Sequence, residues 1–279
     1  MKGSLGTLLL AVIAGPLLPM PGAAEAHKPF VLMLLDRGED EICETDKKGQ
    51  TRCQEQPDTM IPLACSEAGQ KKILLGTACL KGVPTRTRVR LADGSFRTTT
   101  GKLPNTALCH TYRDSAARSS VLLLSGPRVA PRGEGLAIWP ADADMAAFAG
   151  TPRLLKPDEA SEVMKHLSGF AGPTRVSVVE RDLDADGKPE LIYIVQAASS
   201  GRSMILVAPS GRLDKLEKVP PQNPSASLVL DQTLLGTIDL GEREGSALIV
   251  LERSCNEYGV FILSYGAFKR LFSFDCGNC

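Results

Sequence analysis

The strongest chemical signature in the chain is the run Asp182-Leu183-Asp184-Ala185-Asp186-Gly187-Lys188-Pro189-Glu190-Leu191-Ile192-Tyr193-Ile194. Acidic side chains stand at relative positions 1, 3, 5 and 9, and glycine stands at position 6. Carboxylates packed this closely repel one another, so such a loop either shifts their pKa values or takes up a cation. Alternating aspartates converge on one point only where the backbone curls tightly, and a glycine at position 6 permits that turn. Hard oxygen donors with no Cys or His beside them select calcium over zinc or copper. The alternative is a solvated acidic turn that holds no ion.

The residues on the C-terminal side of the loop decide its type. An EF-hand places a bidentate Glu at position 12 and runs into a helix. Here position 12 is Tyr193, and Leu191-Ile192-Tyr193-Ile194-Val195 has the β-branched character of a buried strand. The helix–loop–helix reading is rejected. The segment resembles the Asp-x-Asp-x-Asp-Gly-x-x-(Asp/Glu)-Leu turn of FG-GAP/VCBS-type β-propeller repeats, with Glu190 where that family usually has Asp. The resemblance covers about 15 residues closely and about 50 loosely. It implies an acidic turn between the first two strands of a blade, holding Ca2+. The implied ligands are the side chains of Asp182, Asp184, Asp186 and Glu190 and the backbone carbonyl of Lys188.

The rest of the C-terminal half contains the strands that must position this turn. Val176–Val179, Leu191–Val195, Met204–Val207 and Leu213–Val219 read as four strands around it. The order recurs as Leu234–Ile238, Ala247–Leu251, Val260–Leu263 and Phe268–Phe274, with Asp239-Leu240 standing 57 positions after Asp182-Leu183. The second copy reads Asp239-Leu240-Gly241-Glu242-Arg243-Glu244-Gly245. It lacks the alternating aspartates and carries an Arg at a ligand position, so no calcium is expected there. Repeating four-stranded units stack as propeller blades or as a small sandwich. Two copies are too few to close a ring.

Upstream, Pro157–Leu167 is the one helix expected. Pro157 opens it, Asp158 and Glu159 suit its N-terminus, and Lys165 and His166 suit its end. Ala160, Val163, Met164 and Leu167 form its apolar stripe. The N-terminal half reads as β. Its expected strands are Phe30–Leu35, Ile73–Leu75, Thr87–Leu91, Val121–Leu124 and Gly135–Trp139, with an Asp-Gly hairpin turn at Asp93-Gly94 returning through Phe96–Thr99. Arg86, Arg88 and Arg90 read as the solvent face of a half-buried sheet.

At 279 residues the chain has room for two ordinary domains. Lys plus Arg and Asp plus Glu are balanced at 32 each, so no global field draws it to nucleic acid. Lys2, the apolar run Leu8–Leu18 and Ala24-Glu25-Ala26 have the order of a signal peptide cleaved before His27. No later run is long and apolar enough to span a bilayer. All eight cysteines, at 43, 53, 65, 79, 109, 255, 276 and 279, come after that cut. An even number behind a signal peptide reads as a disulfide framework in an oxidising compartment. Cys43–Cys53 and Cys65–Cys79 are the easy local pairs, and Cys255–Cys276 with Cys109–Cys279 completes one of the 105 possible pairings.

The expected organisation is therefore a signal peptide at 1–26, a disulfide-stapled β-rich domain at 27–155, a helix and linker at 156–171, and two FG-GAP/VCBS-like four-stranded repeats at 172–279. Catalytic motifs are scarce. His110 beside Cys109 and near Asp114 offers a Cys–His arrangement, but a disulfide is the expected fate of that cysteine. His27 at the cleaved terminus resembles the copper-binding histidine of lytic polysaccharide monooxygenases, yet few aromatics are present to build a sugar-binding face. Cys276-Gly277-Asn278-Cys279 has redox spacing but no helix after it to lower a thiol pKa. The expected function is an exported, periplasmic or extracellular, calcium-binding module with a protein or glycan partner at the cell surface or envelope. The alternative is a secreted hydrolase with its site around His110.

Overall fold

A computed structural model describes residues 29–36, 42–45, 49–54, 58–67, 72–107, 118–125, 135–143, 148, 152–167, 174–197, 202–222, 231–241, 244–253 and 258–276. The expected signal peptide, His27, His110, Cys109, Cys255 and Cys279 lie outside these residues. The described chain is mainly β, with one helix, α1 (Pro157–Lys165). No described helix is long and apolar enough to cross a membrane.

The first half closes on itself. Six of its strands are β1 (Phe30–Asp36), β4 (Thr59–Ser66), β6 (Arg88–Leu91), β7 (Phe96–Ala107), β8 (Arg118–Leu124) and β9 (Gly135–Trp139). They pair antiparallel in the ring β1-β9-β6-β7-β8-β4, and β4 pairs back onto β1. Closure removes the sheet edges that would otherwise invite pairing with other chains. Alternation along β1 shows the physical reason: Val31, Met33 and Leu35 belong to the cluster filling the barrel, while Phe30, Leu32 and Leu34 belong to one outside it. A 3-10 turn at Gly76–Leu80 brings Cys79 and Leu80 into the interior cluster, and Cys79 is bonded there to Cys65 of β4. The short strand β5 (Leu74–Leu75) adds to the outer side of β4. Between β1 and β4 the chain makes a separate two-stranded ribbon, β2 (Ile42–Thr45) with β3 (Thr51–Gln54), in which Cys43 stands directly opposite Cys53.

The second half forms a mixed sheet. Its first part comprises β10 (Arg153–Leu154), β11 (Thr174–Arg181), β12 (Glu190–Ala197), β13 (Ser203–Ala208) and β14 (Glu217–Lys218), all paired antiparallel in that order. Its second part is the antiparallel meander β15 (Asp231–Gly241), β16 (Gly245–Arg253), β17 (Tyr258–Ser264) and β18 (Lys269–Cys276). One parallel bridge, Ser203 opposite Asp231, joins the two parts. Val176–Val179, Leu191–Val195, Met204–Val207, Leu234–Ile238, Ala247–Leu251 and Val260–Leu263 are strands as expected, each extended by one to three residues at its ends. The strand expected at Phe268–Phe274 starts one residue later, at Lys269, because Phe268 is in the turn with φ 46°, and Leu213–Val219 is mostly turn, with only Glu217–Lys218 extended.

Side-chain alternation arranges these parts in layers. Ile192, Ile205 and Val207 of the first part pack on Leu248, Val250, Phe261 and Leu263 of the second. The opposite side of the first part, with Tyr193, Val195 and Leu206, is covered by Val163 and Leu167 of the helical segment. The opposite side of the second part, with Ile249, Val260 and Ile262, packs on Leu32, Leu34, Ile61 and Ile138 of the barrel wall. Both faces of these strands are thus buried. This is why Met204–Ala208 reads as one unbroken apolar run rather than alternating.

Two contacts hold the layers in register. Gly245 has φ +67°, and a side chain there would overlap the backbone of Leu183 and Asp184. The turns before β12 and before β16 therefore touch through bare backbone. At the outer layer, Arg153 donates to both oxygens of Glu159 at 2.6 and 2.8 Å and to Glu180 at 2.8 Å. Glu159 also accepts the Lys156 backbone N–H at 2.8 Å, closing the start of α1. The buried Glu159 takes a place on the covered side of the helix, whereas Met164, expected in the apolar stripe, is 62 % exposed.

Gly245→Ala is expected to destabilise the protein by about 2 kcal/mol or more, since it adds positive-φ strain to a backbone overlap, and thermal melting checks it. The Arg153 guanidinium, opposed by burial, holds the Glu159 carboxyl below its ordinary value of 4.5. A depressed carboxylate contributes stability that is present above its unfolded pKa and lost as pH falls through the folded one. The stability gap between wild type and Glu159→Gln should therefore be full above about pH 5 and close progressively below about pH 4.5. Chemical denaturation across that range measures it.

Candidate metal centre

The acidic turn begins where β11 ends and finishes at the first residue of β12. Arg181 stands opposite Glu190 in the ladder, so the intervening residues 182–189 bulge out as a compact loop. Ala185 and Gly187 adopt left-handed backbone at φ 61° and 83°. Those two reversals curl the chain back on itself.

The loop is held by its own carboxylates. Gly187 N–H donates to Asp182 Oδ2 at 3.0 Å, Asp186 N–H to Asp184 Oδ1 at 3.2 Å, and Lys188 N–H to Asp186 Oδ1 at 2.7 Å. Such side-chain-to-backbone bonds are the local turn chemistry that aspartate favours. Leu183 points inward and is 1 % exposed, within the cluster shared by both sheet parts.

Glu190 plays a different part from the aspartates. Its side chain is fully buried, with Oε2 accepting Leu183 N–H at 2.7 Å and Oε1 accepting Ser210 N–H at 3.0 Å. One carboxylate thereby ties the acidic loop to the turn after β13, where Ser210 itself is left-handed at φ 44°. Burial pushes the Glu190 carboxyl up, the two backbone donors oppose that rise, and the nearby Asp184 charge adds to it. A positive charge or a proton would relieve this buried anion.

Asp182, Asp184 and Glu190 each bring a carboxylate oxygen within 4.8 Å of the other two. Oδ1 of Asp182 is enclosed and has no hydrogen-bond partner. Asp186 and Lys188 sit on the exposed side of the loop, outside that converging group of three. The donor set is entirely oxygen, which fits a hard divalent cation such as calcium and offers nothing to a thiophilic metal.

Tyr265, in the turn between β17 and β18, completes the surroundings. Its phenol is pushed up to about 12, first by burial and then by the charges of Glu190, Glu217 and Asp184. Neither Tyr265 nor Ser210 was among the residues singled out by the acidic spacing, because both arrive from strands distant in sequence. The corresponding turn of the second copy holds no such convergence among the described residues. There Gly241 N–H donates to Asp239 Oδ1 at 2.8 Å, and Gly245 packs against the first loop. His166 lies exposed just beyond the last turn of α1.

Replacing Glu190 by Ala removes the acceptor from two enclosed backbone donors. A loss of about 2–6 kcal/mol is expected even in chelator, at roughly 1–3 kcal/mol per orphaned group. Denaturant melts of the variant in chelator measure this loss, and an unchanged midpoint would count against the clamp.

No family model matches this chain. Neither the curated proteins nor the solved structures contain a match to it.

Proposed function

We propose that this chain is an exported β-repeat protein that binds calcium through the turn from Asp182 to Glu190. We further propose that it serves as a non-enzymatic binding or surface-interaction module. The observation that carries the calcium reading is the convergence of oxygens from Asp182, Asp184 and Glu190 within 4.8 Å, with one Asp182 oxygen enclosed and unpartnered. The motif's similarity to FG-GAP/VCBS turns supports the same reading, and the packing of the β11–β13 strands on the β15–β18 meander is compatible with blade-like repeats.

In this reading Asp182, Asp184 and Glu190 hold the ion, and Asp186 and the Lys188 carbonyl complete its shell from the exposed side. Each carboxylate oxygen has two acceptor positions, so the backbone bonds to Glu190 and Asp182 leave room for a ligand bond. The ion supplies charge neutralisation: it offsets repulsion among acidic groups that the buried Glu190 cannot relieve through solvent. Its role is structural, fixing the β11–β12 turn against the turn that carries Gly245. The broad β surfaces around that turn would then present a fixed face to a protein or glycan partner at the cell surface or envelope.

Extracellular sites of this type bind calcium at about 0.1–1 mM. At about 10 mM calcium, linkage then adds roughly 1.4–2.7 kcal/mol of stability. Asp184 is exposed and makes one local bond, so Asp184→Ala should cost most of that increment in calcium and almost nothing in chelator. Paired thermal melts and titration calorimetry read both effects. Equal losses in the two conditions, or no heat of binding in the wild type, would remove the calcium reading.

A further inference from the structure

The β2–β3 ribbon stands apart, among the described residues, from both larger sheets. Among the described residues, neither strand pairs with any strand but the other. Each is four residues long, and a lone two-stranded ribbon of that size is marginal in water. The barrel, by contrast, is a closed ring around its own apolar interior. A covalent tie between its two strands would hold such a ribbon formed.

Cys43 and Cys53 occupy directly opposite positions in the ribbon register. Opposed residues of an antiparallel pair have Cα atoms about 4.5 or 5.5 Å apart, depending on whether they exchange hydrogen bonds. Both values fall within the roughly 4.4–6.8 Å that a disulfide requires. The bonded pair Cys65–Cys79 has the same kind of geometry, with Cα atoms 5.5 Å apart.

We propose that Cys43 and Cys53 form a disulfide that staples this ribbon independently of the barrel core. The bond forms by thiol–disulfide exchange with a disulfide-bearing oxidant. One thiolate attacks the donor and releases its first thiol; the second thiolate then resolves the mixed disulfide. The two cysteines lose two electrons and two protons, and the donor disulfide becomes a dithiol. The inference does not depend on calcium or on the acidic turn, so its failure and that of the proposed function are separable.

The test uses the full chain produced through an oxidising compartment, with free thiols blocked, and digested after glutamate without reduction. Cleavage after Glu41, Glu44 and Glu55 places Cys43 in Ile42–Glu44 and Cys53 in Thr45–Glu55. The expected product is those two peptides joined to each other. Recovery of either as a blocked thiol, or joined to a peptide bearing another cysteine, overturns the pairing. In the double variant Cys43→Ser/Cys53→Ser, amide exchange over residues 42–45 and 51–54 should accelerate at least about tenfold, while β1 and β4 keep their protection. Unchanged exchange in the ribbon overturns the staple.

Discussion

The buried carboxylate of Glu190 is the constraint on which the C-terminal half depends. It starts β12 and takes its hydrogen bonds from Leu183 on one side and Ser210 on the other. Those two donors belong to different turns, so one anion holds together the ends of three consecutive strands. Leu183, whose N–H it fixes, carries the side chain that enters the core shared by both sheet parts. The same backbone is the surface on which Gly245 rests. A buried charge of this kind costs several kcal/mol when left uncompensated. Neutral backbone donors offset part of that cost, and a cation drawn to the three converging oxygens would offset more.

That arrangement links the candidate site to stability: its carboxylates accept backbone N–H groups of the loop itself and of the turn after β13. Tyr265 is held more strongly protonated than a free phenol by burial and by the charges of Glu190, Glu217 and Asp184. Its place in the turn between β17 and β18 puts the second sheet part within the electric field of the loop. Charge at the turn is therefore felt by both parts of the sheet.

The layered packing explains why so few strands alternate. The meander from β15 to β18 is sandwiched between the barrel wall and the first sheet part, and β12 and β13 lie between that meander and α1. Strands covered on both faces need apolar residues at every position, and the sequence supplies them at Met204–Val207, Leu248–Leu251 and Val260–Leu263. The barrel strand β1 obeys the same rule for a different reason, with one face filling the barrel and the other covered by the meander.

Most strands and the helix were legible along the chain, because unbroken β-branched runs, an Asp-Gly turn and a proline-led amphipathic segment are local signals. The acidic turn was legible for the same reason: its spacing alone specifies alternating carboxylates and a glycine reversal. Closure of the barrel was not, since β1 meets β4 and β9 across long separations that no nearby pattern encodes. Nor was the exposure of Met164, because the helix face that packs down carries Glu159, Val163 and Leu167. The chain by itself determined which residues carry charge and which strands carry bulk. Tertiary structure alone decided that Glu190 is sealed from water and that Gly245 touches Leu183, because both outcomes require strands remote in sequence to arrive at one point.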